Sequence, residues 1–445
     1  MGAQAYPHSY KASPKKKQST TLQHLLDIDS ENEEVLSIIS YCNFTYTFMD
    51  PSESPSQQDL KRLRLIQLLS VIKTSKMPLH SQILLPLFSM LSTTLFRPLP
   101  PPCNATLIYV LPEDEDITAT PVAAWPHLQI VYDILLSLII NTDALVLRDY
   151  IDHPFLLNLL SLFQSEDPRE RESLKNVFHR IYIKLTFHRS FMRKAMNDVL
   201  LHYILDMDRH CGIGELLEIW GSIINGFTVP LKEQHKVFLT RVLIPLHKPK
   251  GMHAYHRQLA YCVSQFVQKD PGLGRVVVRG ILKYWPITNT QKEVLIIGEL
   301  EELVENIDSE LYKDIALPLC TQITKCLNSW NSQVAERALY LWNNEQFVKM
   351  VSEAADDVFP VLVGAMERNL KRHWSNSVKQ LTQNVKVMLE EMDSTLYNQC
   401  LLRLQYEESR AGQEEKKREE KWERIEMAAA RNQFLRQPRY ICVSN

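Results

Sequence analysis

The segment LKNVFHRIYIKL, residues 174–185, carries the pattern that decides the fold of this chain. Its large apolar residues recur at three- and four-residue intervals, which places them on one face of an α-helix. These residues are Leu174, Val177, Phe178, Ile181 and Leu185. Similar spacing is found at 60–72, 128–140, 216–227 and 334–342, and no convincing alternating strand pattern bounded by turn glycines is found. The sequence therefore predicts an all-α fold from about residue 22 to residue 404.

A second pattern, a proline between large apolar residues, recurs along the chain. It reads LLPLF at 84–88, LIPLH at 243–247, ALPLC at 316–320 and VFPVL at 358–362, with WPHL at 125–128 as a looser version. The prolines are separated by close to one, three, two and one intervals of about 40 residues, the period of two-helix HEAT-type repeats. Proline fits the first turn of a helix or kinks one, so it can set the same angle in each repeat. The pattern favours a HEAT-like repeat α-solenoid over a compact bundle.

Composition limits the classes of function. A chain of 445 residues with 45% hydrophobic residues can build two or three domains or one elongated solenoid. It has only 12 glycines, whereas Rossmann and P-loop enzymes need glycine in their turns and phosphate loops. With 50 basic and 52 acidic residues the net charge is −2, and a nucleic-acid binder normally has a basic excess. We therefore expect neither a nucleotide-dependent enzyme nor a nucleic-acid-binding protein.

Three segments interrupt the helical pattern and set the expected domain limits. Residues 1–21 are polar and are predicted to be a disordered tail. Residues 97–124 contain a proline cluster followed by Glu113, Asp114, Glu115 and Asp116, and they predict a long acidic loop inside the repeat domain of residues 22–404. Residues 405–445 are expected to form a charged, solvated C-terminal helix and a tail.

The cysteines and the apolar runs indicate the compartment. The eight cysteines form no CxxC pair and no zinc-ligand spacing with histidine, which is typical of reduced, mostly buried thiols. The N-terminus is polar, unlike a secretory signal. The longest apolar run, Leu128–Ile140, is too short to span a bilayer and contains Asp133. We expect a soluble chain that acts in the cytoplasm, the nucleus or both, without a membrane partner.

Catalytic and cofactor-binding motifs are absent from the sequence. The string at 272–274, Gly-Leu-Gly, lacks the third glycine of a dinucleotide-binding loop, and P-loop, HExxH, GxSxG and kinase signatures are not found. His247, His253 and His256 are close in sequence, but their spacing does not place three metal ligands on one helical face. We expect these to be surface or hydrogen-bonded histidines, in a non-catalytic chain that has no metal site and no cofactor.

Two neighbouring helical segments place candidate binding residues about one repeat apart. In the segment 174–185 the apolar stripe leaves His179, Arg180 and Tyr182 on a different face. In the segment 215–227, Ile219 and Ile223 are four residues apart and form a short apolar ridge. Because successive repeats of a solenoid contribute one helix each to a common wall, these residues can line one groove.

Four further basic residues flank this candidate groove. They are Lys232, His235, Arg189 and Arg193. The combination suits an extended peptide with two apolar anchors and a nearby carboxylate or phosphate, because arginine pairs directionally with acids and apolar pockets supply affinity. The alternative is that the two isoleucines are core residues and that Arg180 pairs internally with Glu172 or Glu215.

Seven short strings spread along the chain are specific enough to indicate a family. They are SEDPRER at 165–171, HRIY at 179–182, GSIINGF at 221–227, PLKE at 230–233, LKYWP at 282–286, QVAERALY at 333–340 and WNNE at 342–345. In their residues and in their order along the chain they resemble the B-prime family of protein phosphatase 2A regulatory subunits. The resemblance extends from about Leu25 to Leu404. The resemblance implies a HEAT-like horseshoe that binds a scaffold subunit and the catalytic subunit and has no activity of its own.

The resemblance also implies how substrates are recruited. The family binds a short Leu-x-x-Ile-x-Glu motif in substrate proteins. The matching positions for this motif are His179, Arg180, Tyr182, Ile219 and Ile223. By the same resemblance, Lys232 and His235 meet acidic residues beyond the motif, and Arg189 meets a phosphoserine within it. The implied function is to direct the Ser/Thr dephosphorylation of such substrates.

The acidic loop also resembles a family segment. Glu113, Asp114, Glu115 and Asp116, together with Trp125, correspond to the part that lies near the catalytic and scaffold partners. Two residues depart from the family pattern close to the groove: Trp220 replaces a smaller aliphatic residue and Ile183 replaces a glycine. The loop also lacks a proline that commonly follows the acidic residues.

Two other functions are compatible with an all-α repeat chain. A transport-type solenoid that carries cargo between compartments would need an acidic inner wall for basic signals, and the cationic residues named above argue against it. An enzyme of an unrecognised type would need a catalytic constellation, which is not found. A regulatory subunit of protein phosphatase 2A is therefore the expected function.

Overall fold

The computed structural model describes residues 32–46, 48, 54–74, 81–99, 122–206 and 209–431. Within these ranges every regular element is helical, which confirms the predicted all-α class. The chain divides into two units. Unit 1 contains residues 1–226 and 257–259, and unit 2 contains residues 227–256 and 260–445. None of the described helices is both long enough and apolar enough to cross a membrane.

Unit 1 is built on a row of adjacent helices, α2, α4, α7 and α9, with α3 against α4 and α6 against α8. The helix bounds are residues 32–42 for α1, then α2 Pro55–Thr74, α3 Ser81–Leu95, α4 Trp125–Asn141, α5 Ala144–Leu147, α6 His153–Ser161, α7 Pro168–Lys184, α8 Arg189–Asp206 and α9 Ile213–Asn225. The predicted helices at 60–72, 128–140 and 174–185 correspond to α2, α4 and α7. The helix predicted at 216–227 ends at Asn225, so Phe227 lies beyond α9.

Unit 2 contains two rows of helices. One row is α12, α14, α17 and α19, and the other is α13, α15 and α18. The bounds are α10 Glu233–Phe238, α11 His256–Lys269, α12 Gly274–Lys283, α13 Thr290–Asn306, α14 Tyr312–Leu327, α15 Ser332–Tyr340, α16 Glu345–Glu353, α17 Ala355–Arg372, α18 Asn376–Met392 and α19 Ser394–Arg431. Residues 257–259 of α11 belong to unit 1.

Hydrogen bonds within each unit repeatedly join residues about 40 positions apart. In unit 1 they link Lys184 with Ile140 at a separation of 44 residues and Lys175 with Glu218 at 43. In unit 2 they link Arg275 with Asp314 at a separation of 39 residues. Most neighbouring helices of a row therefore come from chain positions about one predicted repeat apart. The exception is α2 and α4, where hydrogen bonds join residues 69 positions apart.

The recurrent prolines occupy related positions. Pro86, Pro318 and Pro360 each lie inside a helix, in its second turn, where each removes one backbone donor from the helical ladder. Pro126 lies in the first turn of α4, which does not need its missing N–H group. Pro245 begins a short 3-10 turn, which Ile244 separates from a π-helical turn, Leu239–Leu243.

Several cysteine side chains lie in the core, as predicted. Cys42, Cys320 and Cys326 are buried, and burial raises the pKa of the Cys320 thiol to about 12. Thiols in such apolar surroundings stay protonated and are chemically inert. At the C-terminus the charged segment predicted from residue 405 is the continuation of α19, which begins at Ser394 and buries only Tyr397.

Candidate peptide-binding groove

Helix α7 carries three of the candidate residues and is fixed at both ends. At its start the Asp167 carboxylate accepts a hydrogen bond from the Arg169 backbone N–H at 2.9 Å, which caps the first turn. At its end the Arg189 guanidinium donates to the carbonyl oxygens of Tyr182 and Ile183, both at 2.9 Å. Carbonyls in the last turn of a helix have no helical partner, so a cation is well placed there. The side chains of α7 are thus presented on a rigid support.

Ion pairs join α7 to α9 along one seam. The Arg171 Nε atom lies 2.7 Å from a Glu215 carboxylate oxygen. The Lys175 ammonium lies 2.6 Å from Glu172 and 2.5 Å from Glu218. Glu172 and Glu215 are therefore already paired with other cations, and the alternative that one of them pairs with Arg180 is wrong.

The Arg180 side chain is exposed on α7 and forms no salt bridge or hydrogen bond with any residue in the described part of the chain. Its neighbour His179 is half-buried. Burial, followed by the charges of Lys175 and Arg180, lowers the pKa of His179 below its ordinary value of 6.5. At neutral pH His179 is therefore an uncharged polar ring, and Arg180 supplies the positive charge at this point.

Tyr182 is held between two arginines. The Arg193 Nη1 atom donates to the Tyr182 hydroxyl oxygen at 2.9 Å, and the Arg189 guanidinium carbon lies 5.4 Å from the centroid of the Tyr182 ring. The structure therefore brings together Tyr182 and both predicted flanking arginines. Their guanidinium groups place positive charge beside an aromatic ring, an arrangement suited to an acidic peptide side chain or a phosphate.

The two candidate anchors on α9 are buried in the free chain. Ile219 is 2% exposed and Ile223 is 6% exposed. A peptide side chain can contact only their edges unless neighbouring side chains move. Of the two departures from the family pattern, Trp220 is also buried, whereas Ile183 is 46% exposed on α7, three residues after Arg180.

The remaining two residues predicted for the groove belong to unit 2. Lys232 is exposed at the residue before α10. The half-buried His235 ring stacks on Phe227, with ring centroids 3.7 Å apart and planes 1° from parallel.

The residues predicted to contact other subunits are described only in part. Glu113, Asp114, Glu115 and Asp116 lie outside the described residues. Trp125 is the first residue of α4, and its ring lies 5.2 Å from the guanidinium carbon of Arg169.

The described chain on both sides of that segment is attached to the start of α7. Before it, the Arg97 guanidinium lies 2.8 Å from the Glu170 carboxylate. After it, the Val122 backbone N–H donates to the Asp167 carboxylate at 3.1 Å. Asp167 and Glu170 are buried, and neither was predicted as an attachment point for this segment. The string SEDPRE was the available signal, because an Asp-Pro pair followed by Glu is typical of a helix N-terminus.

A second buried polar cluster lies in unit 2. The Glu299 carboxylate accepts hydrogen bonds from His247 Nε2 at 3.1 Å and from His256 Nε2 at 2.9 Å. The Lys292 ammonium donates to the carbonyl oxygens of His247 at 3.1 Å and Pro249 at 3.0 Å. The prediction of hydrogen-bonded histidines is confirmed for His247 and His256, whereas their partner Glu299 was not predicted.

Comparison with known proteins identifies the family. Residues 22–429 match the family model described as the protein phosphatase 2A regulatory B subunit, B56 family. The chain is 44% identical over 397 residues to the B' kappa isoform of the 57 kDa regulatory subunit of serine/threonine protein phosphatase 2A from Arabidopsis thaliana. That match covers 89% of this chain and 79% of the relative. The B' kappa isoform from Oryza sativa subsp. japonica is 42% identical over 406 residues, covering 90% and 79% of the two chains.

These matches agree with the seven strings that indicated the family in the sequence. The family match runs from residue 22 to residue 429 and includes most of α19. The chain belongs to the B56 family of protein phosphatase 2A regulatory B subunits, and it is a regulatory subunit rather than an enzyme.

Proposed function

We propose that this chain is a HEAT-like α-solenoid that binds the scaffold and catalytic subunits of protein phosphatase 2A and recruits substrates through the groove on α7 and α9. The recruited segment is a short linear motif of the Leu-x-x-Ile-x-Glu type. The chain thereby directs the phosphatase to phosphorylated serine and threonine residues of the proteins that carry such motifs.

The repeated spacing of the contacts supports the solenoid. Hydrogen bonds in both units join residues 39 to 44 positions apart, and helices of one row follow each other at about that interval, except between α2 and α4. A solenoid in which each repeat contacts its neighbours has this property, whereas a compact bundle does not require it. Solenoids of this kind provide extended walls for partner proteins.

The observation that carries the groove is the unpaired charge of Arg180. The acidic residues along the seam between α7 and α9 are paired with Arg171 and Lys175, so Arg180 remains available to an acidic ligand. His179 is its neighbour on α7, close enough that, after burial and the Lys175 charge, the Arg180 charge also lowers the His179 pKa. Arg189 and Arg193 converge on the Tyr182 ring of the same helix. A motif with a carboxylate close to apolar residues matches this arrangement of charge and aromatic surface.

The other proposed roles follow from the family resemblance. We assign Lys232 and His235 to acidic residues beyond the motif and Arg189 to a phosphoserine within it. We also assign Glu113, Asp114, Glu115, Asp116 and Trp125 to contacts with the scaffold and catalytic subunits. We expect these contacts to be made in the cytoplasm, the nucleus or both.

The test is the replacement Arg180→Glu. We expect the Kd for a fluorescein-labelled Leu-x-x-Ile-x-Glu peptide to rise on the order of 100-fold, about 2–3 kcal/mol, because the ligand carboxylate would face a like charge. Fluorescence anisotropy measures this change. Arg62→Glu, which makes the same change of charge on an exposed residue of α2, is the control and should leave the Kd unchanged.

Assembly is measured on the same proteins by size-exclusion chromatography with purified scaffold and catalytic subunits. Wild type and Arg180→Glu should both elute with the two subunits, because assembly is assigned to other residues. Undiminished peptide binding by Arg180→Glu contradicts the groove. Separate elution of the wild-type chain contradicts its proposed place in the phosphatase complex.

A further inference from the structure

Two tryptophan side chains of unit 2 are unusually exposed. Trp330, in the loop between α14 and α15, is 74% exposed, and Trp374, in the loop between α17 and α18, is 62% exposed. An indole ring is among the largest apolar groups that a protein can place in water. Adjacent exposed aromatic rings mark surfaces that bind other proteins, where tryptophan is enriched among the residues that dominate affinity.

The two tryptophans are joined by a hydrogen bond. The Trp374 indole N–H donates to the Trp330 carbonyl oxygen at 2.9 Å, across a separation of 44 residues. The pair therefore joins corresponding loops of two successive helix pairs.

The loops that carry the pair are held by further hydrogen bonds. His373 Nδ1 accepts from the Ser375 backbone N–H at 3.1 Å, so its Nε2 carries the proton and donates to the Ser329 carbonyl at 3.1 Å. The His373 ring also stacks on Trp374, at a centroid distance of 5.9 Å. Since both loops are already ordered, a partner would lose little conformational entropy in binding them.

The segments of chain directly on either side of each tryptophan carry cations and no acid, up to the acidic residues Asp314, Glu336, Glu367 and Glu390 that bound them. Residues 315–335, which surround Trp330, contain Lys325 and no acidic residue. Residues 368–389, which surround Trp374, contain five lysines and arginines and no acidic residue. Two of these five are neutralised by acids elsewhere in unit 2, since Lys371 pairs with Glu408 and Lys386 with Glu367.

The other three cations near Trp374 are available to a ligand. Arg368, Arg372 and Lys379 form no salt bridge with another residue of the described ranges. An apolar surface with unpaired cations at its rim is complementary to an acidic ligand that also carries an apolar side chain.

We propose that Trp330 and Trp374 form a docking surface for an acidic protein segment with an exposed apolar side chain. The cations of this surface are Arg368 and Arg372 in the last two turns of α17 and Lys379 in the first turn of α18. The chemistry favours a protein over a nucleic acid. Affinity for a nucleic acid rises with the number of phosphates that cations neutralise, and three cations neutralise few; the net charge of the chain is −2. The docking surface uses none of the residues of the proposed peptide groove.

The test uses the full chain carrying Arg180→Glu, so that ligands of the proposed groove are not selected. Random peptides of about 12 residues, displayed on phage, are selected on this protein, and the enriched peptides are synthesised with a fluorescent label. We expect sequences that combine Asp or Glu with a large apolar residue. Trp374→Ala and Arg372→Glu should each weaken their binding roughly tenfold or more. Trp422→Ala, which removes a tryptophan 60% exposed on α19, is the matched control and should have no effect.

Three results would overturn the proposal. One is a selection that enriches no acidic peptides. Another is an enriched peptide that binds Trp374→Ala and Trp330→Ala as tightly as the parent chain. The third is a single-stranded oligothymidine of about 20 nucleotides that binds more tightly than any selected peptide and is lost in Trp374→Ala. Melting temperatures and circular dichroism of each variant show that it is folded.

Discussion

Replacing Glu299 by alanine is expected to lower the free energy of unfolding by about 3–5 kcal/mol, because it removes the acid from a fully buried ionic cluster. The Glu299 carboxylate accepts hydrogen bonds from His247 and His256, and its side chain is 1% exposed. Without it, His247 would have no acceptor for its Nε2 proton in an interior that water does not reach. Leaving a buried polar group without a partner costs far more than losing a surface pair.

Thermal melting followed by circular dichroism measures the effect of Glu299→Ala. The matched control is Glu302→Ala, which removes an exposed acid from the same helix, α13, and should change the stability by about 0.5 kcal/mol or less. Comparable losses in the two variants would contradict the role given to the Glu299 cluster.

The same cluster predicts a pH dependence. Burial alone would raise the pKa of Glu299, but the charge of His247 and the hydrogen bonds from both histidines outweigh it and lower the pKa to about 2. Burial alone would lower the pKa of His247, but the charge and hydrogen bond of Glu299 raise it above its ordinary value of 6.5. The stabilisation from Glu299 is therefore present above pH 4.5 and is lost between 4.5 and about 2. The stabilisation from His247 is present below pH 6.5 and is lost as the pH rises through its raised pKa.

This dependence can be separated from other titrations by comparing the wild type with Glu299→Ala. The difference between their melting temperatures should be largest between pH 4.5 and 6.5 and should decrease toward alkaline pH. Melting curves at about pH 5.5 and about pH 8.5 measure it. A difference that stays constant or grows toward alkaline pH would show that His247 does not carry a proton in the cluster.

Replacing Glu170 by alanine is expected to destabilise the chain by a similar amount, about 3–5 kcal/mol. The Glu170 side chain is fully buried and accepts three hydrogen bonds, from Arg97 at 2.8 Å, the Tyr132 hydroxyl at 3.0 Å and the Ser165 hydroxyl at 2.6 Å. All three donors would lose their acceptor, and the half-buried Arg97 would keep an unpaired charge. The substitution also removes the ion pair that attaches Arg97 to α7.

Chemical denaturation of Glu170→Ala and of its control, Glu172→Ala, measures the difference. Glu172 lies on the same helix and forms an ion pair with Lys175. Because the Glu172 side chain is 58% exposed, removing it should lower the free energy of unfolding by about 1 kcal/mol or less. Glu170→Gln keeps one acceptor oxygen and should be intermediate. Equal effects of Glu170→Ala and Glu172→Ala would refute the assignment of Glu170 as the centre of this cluster.

Much of the fold and part of the site were predictable from local patterns. The apolar spacing from Leu174 to Leu185 predicted α7, and the same spacing left Arg180 on a different face, where the structure exposes it. The string HRIY and six others indicated the family that the comparisons confirm. Such signals can be read directly, because helix periodicity and sequence likeness depend only on the order of residues along the chain.

The partners of the charged residues were not predictable in this way. Spacing allowed Arg180 to pair with Glu172 or Glu215, but Arg171 and Lys175 occupy those acids. Spacing likewise presented Ile219 and Ile223 as a ridge, and the packing buries both. Each outcome depends on how α7 and α9 are aligned along their shared seam.

The sequence by itself determined the all-helical class, the interval of about 40 residues between the recurrent proline motifs, and the family of this protein. Each of these depends only on which residues follow one another along the chain. Only the tertiary structure decided that the Glu299 carboxylate accepts a hydrogen bond from His247, 52 residues away in sequence. The same holds for the hydrogen bond that the Trp374 indole N–H donates to the Trp330 carbonyl, 44 residues away. The physical reason is that a helix fixes the direction of its own side chains, whereas the meeting of two side chains from different repeats depends on the rotation and offset of whole helices. Local spacing does not specify those quantities, and packing does.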